Sequence, residues 1–218
     1  SWTAQAEAIA EVLPDLVLAS VPYQSESVIE ILKTGVPVLL LAPRSLDDIY
    51  KDIAMIAGVM GVPDRAESVI HEMKGALLQV EARTAHLPRV RVFCEEWGKP
   101  IIASQPWVAE LIRAAGGIPI GEPGRTIDPE AIRTAEPDVL IASWCGAGNR
   151  VPLEKIARDR QWLSTPAALN ARFYCINDEL LNTPGPSLMG GLRAIAHAIH
   201  PDLFPAVPGI RSIAAVAP

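Results

Sequence analysis

The sequence predicts an α/β fold of two Rossmann-like lobes with parallel sheets, joined by one long helix. Three observations support this fold class. Short apolar strands alternate with amphipathic helices, one helix–strand pattern occurs twice, and an uninterrupted helical pattern stands between the two copies. Strands that alternate with helices form parallel sheets with helical crossovers. Half of the 218 residues are apolar, so both lobes can bury a core.

The repeated pattern is a short amphipathic helix, a Pro-Asp break and an apolar strand. It occurs at 8–20 and again at 131–143. Proline ends the helix because it lacks an N–H and restricts the residue before it. A short apolar run bounded by such breaks is typical of a parallel strand buried on both faces. One copy in each half of the chain predicts two similar lobes, although a Pro-Asp break before a strand also arises by chance.

The remaining elements follow from the same signals. In the first lobe, the pattern predicts a helix over 26–34, a strand over 36–41 and a helix over 46–60 that Ser45 caps. In the second lobe, it predicts strands over 89–94, 139–142 and 172–176, and helices over 107–115, 129–134, 153–158 and 187–200, with Asp128 as an N-cap.

The connection between the lobes is predicted to be a helix over 63–86. Pro63 stands where a helix can begin, and apolar residues keep helical spacing beyond it. We therefore expect domains at 1–62 (the remainder of an N-terminal lobe), 63–86 (the connecting helix) and 87–205 (a C-terminal lobe), with a tail at 206–218.

Composition and motifs exclude several function classes. The net charge is −6 and basic residues form no cluster, which argues against a nucleic-acid partner. The sequence has neither a phosphate-binding glycine loop nor a nucleophile elbow. Cys94, Cys145 and Cys175 form no C-x-x-C pair, and the spacing leaves their disulfide state open. We therefore expect that the chain is not an enzyme and that it has no catalytic residue, no metal site and no intrinsic cofactor.

Large aromatic residues stand in loops that follow predicted strands. Trp97 follows the strand over 89–94, Trp107 opens the next helix, and Trp144 follows the strand over 139–142. Tyr23 has the equivalent place in the first lobe. Ligands of open parallel sheets bind at the carboxyl ends of the strands, where each flat aromatic offers about 150–250 Å² of contact. These residues predict an aromatic ligand site, with core packing at the rim of the lobe as the alternative for each tryptophan.

Several segments resemble the helical-backbone periplasmic binding proteins, the substrate-binding proteins of ABC transporters for cobalamin, ferric siderophores and haem. The resemblance spans roughly residues 1 to 205 and is carried by residues 14–18, 43–49, 96–100, 107–117 and 184–186. The segments 96–100 and 107–117 are most similar to the cobalamin-binding branch. In such proteins a further strand–helix–strand segment precedes the point equivalent to Ser1, so the first lobe is expected to be truncated here.

The resemblance implies a function and a set of site residues. The chain would capture a corrinoid, cobalamin, between its two lobes and deliver it to a membrane permease. Tyr23 would lie on one side of the ligand and Trp97, Trp107 and Trp144 on the other, and Asn177 and Asp178 would supply polar contacts. One departure is Ser187, which stands where the family often has an arginine, so a basic contact to ligand or fold is lost.

The resemblance also implies a partner and a compartment. An exposed glutamate on each lobe would dock onto the permease, and Glu26 and Glu154 are the candidates. The alternative for both is an ordinary carboxylate at a helix start. The location would be periplasmic or extracytoplasmic, with membrane contact only through the permease or a lipid anchor that this chain does not carry.

Two other functions remain open. One is a ferric-siderophore or haem binding protein of the same fold; the aromatic loops, poor in Arg and Lys, favour the corrinoid over an anionic siderophore. The other is an α/β enzyme or metallochaperone of similar build.

Overall fold

The computed structural model describes residues 6–20 and 25–213, and in them the chain has an α/β fold, as predicted. The strands are β1 (Val17–Ser20), β2 (Val38–Leu41), β3 (Val90–Gly98), β4 (Ile101–Ala103), β5 (Gly117–Pro119), β6 (Val139–Ala142), β7 (Phe173–Ile176) and β8 (Ile210–Ser212). The α-helices are α1 (Ala6–Glu11), α2 (Ser25–Lys33), α3 (Leu46–Val59), α4 (Pro63–Thr84), α5 (Pro106–Ala114), α6 (Pro129–Thr134), α7 (Leu153–Asp159), α8 (Pro166–Leu169) and α9 (Leu188–Ile199).

The first of two compact units is Ser1–Arg44. In its described part, β1 and β2 pair in parallel, with Val17 opposite Val38 and Ser20 opposite Leu41. Helix α2 makes the crossover between them, because parallel neighbours cannot be joined by a tight turn. The helix and strand predicted for this region are confirmed.

The second unit, Ser45–Pro218, contains a six-stranded sheet. Strands β3, β6 and β7 are parallel neighbours, and β5 pairs in parallel with the first residues of β3. The predicted parallel pairing holds for these central strands, whereas the short strands β4 and β8 pair antiparallel with β3 and β7. Only Lys99 and Pro100 separate β3 from β4, which is enough for a hairpin and too short for a crossover.

The central strands carry a core on each face. Along β3, Val92 and Cys94 pack with α3, α4, α5 and α9, whereas Phe93 packs with Ile156 of α7 and with Trp162. Successive side chains of a strand point to opposite faces. The continuous apolar runs of β3, β6 and β7 are therefore explained by burial on both sides.

The 22-residue helix α4 confirms the helix predicted at the connection. It buries Met73 and Val80 in the same core as Leu46 and Ile49 of α3. Because of this packing, α3 lies in the second unit, whereas the sequence placed it in an N-terminal lobe over 1–62. The compact units thus divide at a different point from the predicted domains, whose bounds stay a prediction.

The two copies of the repeated pattern share one unusual backbone feature. Leu13 and Glu136 each stand directly before the proline of the break, and each has a positive φ, 48° and 46°. Non-glycine residues rarely adopt this conformation. A short helix precedes each break and a parallel strand follows it, so the repeat predicted from the sequence is a repeat of local structure.

Both predicted N-caps are confirmed. The Ser45 hydroxyl accepts a hydrogen bond from the Asp48 N–H at the start of α3, and the Asp128 carboxylate accepts one from the Glu130 N–H at the start of α6. Each cap satisfies a helix N–H that has no partner within its helix.

Candidate functional site

A pocket of about 400 Å³ lies where β3 and β6 end, at the edge of the sheet where the sequence predicts a ligand site. Its volume is in the range usual for ligand pockets. The residues that line it come from the β3–β4 hairpin and from the loop after β6: Trp97, Gly98, Lys99, Trp144, Cys145, Gly146 and Ala147. The structure therefore brings together two of the three tryptophans predicted for this lobe.

The end of β3 owes its shape to a bulge. Glu95 is opposite Ala103 of β4 and Trp97 is opposite Ile102, so Glu96 is an extra residue without a partner. A bulge re-aims the side chains around it. Here the Glu95 carboxylate reaches Arg160, beyond α7, while the Glu96 carboxylate reaches Gln105 at the start of α5.

The first of two buried polar networks centres on Glu95, which is 1% exposed. Its carboxylate accepts two hydrogen bonds from the Arg160 guanidinium, at 2.6 and 2.9 Å, and one from Trp144 Nε1 at 2.9 Å. Burial raises the pKa of Glu95, and the guanidinium and the indole N–H oppose that rise. Arg160 also donates to the Gly98 carbonyl at 2.9 Å.

The second network centres on Glu96, which is 6% exposed. Its carboxylate accepts a hydrogen bond from the Gln105 amide at 2.7 Å and one from the Cys145 thiol at 3.7 Å. Burial raises the pKa of Glu96 above its ordinary value of 4.5, and the two hydrogen bonds oppose the rise. Burial and the nearby Glu96 raise the pKa of Cys145 to about 11, so the thiol that lines the pocket keeps its proton.

The two tryptophans of the pocket present their rings because their N–H groups already have partners. Trp97 is 43% exposed and donates to the Lys99 carbonyl at 3.0 Å. Trp144 is half-buried and lies against Gly98; a Cβ at that position would collide with the indole carbons. Glycine is therefore required where the two walls of the pocket meet.

Trp107 is not part of this pocket. It is 7% exposed, belongs to the core between the sheet and α5, and donates its indole N–H to the Leu181 carbonyl at 2.9 Å. The prediction that it faces a ligand does not match this position. Its place at the first turn of an amphipathic helix, with the apolar face turned to the sheet, explains the burial.

Of the predicted polar residues Asn177 and Asp178, only Asp178 bonds to a loop of the pocket. The Asp178 carboxylate accepts hydrogen bonds from the Gly146 and Gly148 N–H groups at 2.7 and 2.8 Å, which holds the loop after β6. The Asn177 side chain accepts from the Glu179 N–H. Neither residue is among those lining the pocket.

Three further predicted residues cannot be placed in this site. Tyr23 lies outside the described residues, and Glu26 lies in α2 with a side chain outside the description. Glu154 is exposed in the first turn of α7. The ligand role of Tyr23 and the docking roles of Glu26 and Glu154 stay predictions.

Sequence reasoning missed Glu95, Arg160 and Cys145. Two consecutive carboxylates at the end of an apolar strand are themselves a signal, since glutamate is almost never fully buried without a partner. Arg160 carries no such signal, because its partner Glu95 is distant in the sequence and only the fold brings them together. In the described part of the chain the three cysteines carry free thiols, and no group of His, Cys, Asp and Glu is placed to hold a metal ion.

A larger pocket, of about 570 Å³, lies at the opposite edge of the sheet, where β3 and β5 begin. Two of its charged residues already have structural partners: Glu110 accepts a hydrogen bond from the Leu46 N–H, and Arg89 donates to the Arg113 carbonyl. None of the described residues that line this pocket is aromatic. It offers none of the features that the sequence predicts for the ligand site.

A sheet with parallel central strands and an aromatic pocket at their carboxyl ends is the arrangement of a solute-binding α/β protein. Residues 1–180 match the family of periplasmic binding proteins, and the chain belongs to that family. Its members bind solutes and are not enzymes, which confirms that prediction.

Two curated relatives show the range of the similarity. An uncharacterised ABC transporter substrate-binding lipoprotein of Bacillus subtilis (strain 168) is 25% identical over 211 residues, which are 91% of this chain and 66% of that protein. A vitamin B12-binding protein of Vibrio parahaemolyticus is 25% identical over 194 residues, 85% of this chain and 68% of that protein. The chain thus spans about two thirds of the length of these relatives.

Solved structures share the fold. A periplasmic haem-binding protein from Pseudomonas aeruginosa is similar with a TM-score of 0.87 at 19% identity, over 99% of this chain and 83% of that one. The periplasmic vitamin B12-binding protein of Vibrio cholerae is similar with a TM-score of 0.70 at 20% identity, over 90% of this chain and 78% of that one. Among the described residues, no helix combines the length and the apolar character needed to cross a bilayer.

Proposed function

We propose that this chain is the substrate-binding component of an ABC importer and that it captures a corrinoid of the cobalamin type. The observation that carries the proposal is the pocket at the carboxyl ends of β3 and β6, with the indoles of Trp97 and Trp144 in its walls. Membership of the periplasmic binding protein family and the similarity to a vitamin B12-binding protein of Vibrio parahaemolyticus support it.

The lining of the pocket suits a large ligand with apolar faces and uncharged polar edges. Both indole N–H groups are occupied by protein acceptors, so the rings offer flat apolar surface. Arg160 is neutralised by Glu95, which leaves Lys99 as the one cationic residue among the described residues of the lining. An anionic ferric siderophore would find few charge partners on this wall.

A haem is the second candidate, because a periplasmic haem-binding protein of Pseudomonas aeruginosa shares the fold over nearly the whole chain. Haem iron takes an axial ligand such as His, Cys thiolate, Met or Tyr. Cys145 is the one such residue in the described lining, and burial raises the pKa of its thiol to about 11. This wall therefore favours a ligand that needs no metal-binding side chain from it.

The partner we propose is the membrane permease of the importer, reached through Glu26 and Glu154. The location we propose is periplasmic or otherwise extracytoplasmic, with a lipid anchor as one means of attachment. The relative from Bacillus subtilis is named a lipoprotein, which supports that location.

Calorimetric titration with cyanocobalamin, hemin and a ferric siderophore tests the proposed ligand. We expect saturable binding of cyanocobalamin with the tightest dissociation constant of the three. If hemin binds more tightly than cyanocobalamin, the proposed ligand is haem and not a corrinoid, and the proposed role in an importer is unchanged. Binding of none of the three would contradict the proposal.

A further inference from the structure

Arg160 contacts residues that support the pocket without lining the pocket itself. Its guanidinium donates two hydrogen bonds to the Glu95 carboxylate and one to the Gly98 carbonyl, and it stacks 4.8 Å from the centre of the Trp162 ring. Its side chain is 12% exposed. Glu95 lies near the end of β3 and Gly98 in the hairpin, so one side chain ties together two places on the first pocket wall.

The second wall of the pocket, formed by the loop after β6, is bonded to the same Glu95–Arg160 pair. Trp144 follows β6 and donates its indole N–H to the Glu95 oxygen that also accepts from Arg160. The indole also lies against Gly98, whose carbonyl accepts a hydrogen bond from Arg160. The orientation of the Trp144 ring thus depends on two contacts, and Arg160 is the hydrogen-bond partner of both.

We propose that Arg160 is the positioning residue of the ligand pocket: through Glu95 and Gly98 it holds the Trp144 ring in the orientation that receives the ligand. The inference rests on the proposed function for the ligand, but the effect on Trp144 is a property of the protein alone. Arginine suits this role because its planar fork presents several donors in fixed directions. A lysine ammonium keeps the charge but lacks this rigid fork, so it would hold Glu95 and Gly98 in a less defined geometry.

The first test follows Trp144 without any ligand. In protein labelled with 5-fluorotryptophan, the Trp144 resonance is assigned from its loss in Trp144→Phe. We expect Arg160→Ala to shift or broaden this resonance and Arg160→Lys to do so less. The resonance of Trp107, in the core on the other face of the sheet, should stay in place. An unmoved Trp144 resonance in Arg160→Ala overturns the inference; if that variant fails to fold, the spectrum of Arg160→Lys decides by the same criterion.

The second test is a double-mutant cycle with cyanocobalamin as the probe. Arg160→Ala should weaken binding about fivefold or more in the native background and less than about twofold when Trp144 is already alanine, because coupled residues are not additive. Equal losses in both backgrounds would mean a general structural effect and overturn the positioning role. Arg158→Ala, an exposed arginine on α7, is the control and should bind like the unmodified protein. If the unmodified protein binds no cyanocobalamin, the proposed function fails, while the fluorine spectrum still decides the role of Arg160.

Discussion

At the scale of single residues, we propose that the indoles of the pocket make the ligand contact. Trp97 is 43% exposed, lines the pocket and has its N–H bound to the hairpin backbone, so its ring can contact a ligand without rearrangement. We expect Trp97→Ala to weaken cyanocobalamin binding by about 1–3 kcal/mol, as for the loss of an aromatic anchor. Calorimetry measures the change.

The control for this prediction is another large apolar residue on the surface. Leu169→Ala changes a side chain that is 71% exposed at the end of α8 and is absent from the pocket lining. Its affinity should equal that of the unmodified protein. Unchanged affinity in Trp97→Ala would remove this tryptophan from the site.

The Glu96 carboxylate gives the stability a pH dependence. Its pKa is raised in the folded protein by burial, so the folded state holds the proton more tightly than the unfolded state. The contribution of Glu96 to the free energy of unfolding is fully present below its ordinary pKa of 4.5. It is lost as the pH rises through the higher pKa of the folded protein. The loss amounts to about 1.4 kcal/mol for each unit of pKa difference.

The isosteric change Glu96→Gln removes that titration. We expect the variant to gain in unfolding free energy relative to the native protein as the pH rises above about 4.5, and to differ little from it at lower pH. Chemical denaturation across the pH range measures the difference, with Glu67→Gln, exposed on α4, as the control. A difference that stays constant with pH would show that burial does not raise this pKa.

At the scale of elements, the hairpin between β3 and β4 sets the shape of the pocket. A Cβ on Gly98 would collide with the Trp144 ring, so Gly98→Ala must displace either the ring or the hairpin. We expect it to cost about 1–3 kcal/mol of stability, as overpacking does, and to weaken ligand binding. Denaturation and calorimetry on the same samples measure the two effects.

A second glycine provides the matched control. Gly75 lies in the interior of α4, and a Cβ there has nothing within 4 Å. Gly75→Ala should stabilise the protein by about 0.5–1 kcal/mol, because alanine loses less conformational freedom in a helix. Equal effects of the two substitutions would mean that the Trp144 ring is not held against Gly98.

Most elements could be predicted from the sequence because their signals are local. The Pro-Asp breaks, the caps at Ser45 and Asp128 and the helical period of α4 each act within a few residues, and all are found in the structure. The three-residue strands β4, β5 and β8 could not be predicted, since so short a run carries no period. Their positions depend on pairing with β3 and β7.

At the scale of the whole molecule, only part of the candidate site could be predicted from the sequence. From the strand ends one can predict that Trp97 and Trp144 lie close together, because topology sends the ends of β3 and β6 to one edge of the sheet, and both residues line the same pocket. The positions of the strand ends do not distinguish Trp97 and Trp144 from Trp107, whose ring is buried in the core. The link between Glu95 and Arg160 depends on tertiary packing alone and could not be predicted.

Delivery to the permease gives a prediction about the intact system. Glu154 is exposed in the first turn of α7, and charge pairs across an interface mainly set encounter rate and orientation. Glu154→Arg should therefore reduce transport in a reconstituted importer while leaving ligand affinity unchanged within about twofold, since a rim charge lies outside the pocket. Glu26→Arg should act in the same way.

The control is a charge reversal elsewhere on the surface. Glu122 is exposed and pairs with Arg125, so Glu122→Arg makes the same change in net charge at another place. Its transport should match that of the native protein. Equal transport in all three variants, or lost ligand binding in Glu154→Arg, would contradict the docking role.

The central claim is that the pocket at the carboxyl ends of β3 and β6 receives the ligand. A crystal structure of the protein with cyanocobalamin tests it most directly. We predict that the corrinoid contacts the Trp97 and Trp144 rings and that Trp107 stays in the core with its N–H on the Leu181 carbonyl. A ligand bound away from both tryptophans, for example in the pocket beside Arg89 and Arg113, would contradict the account.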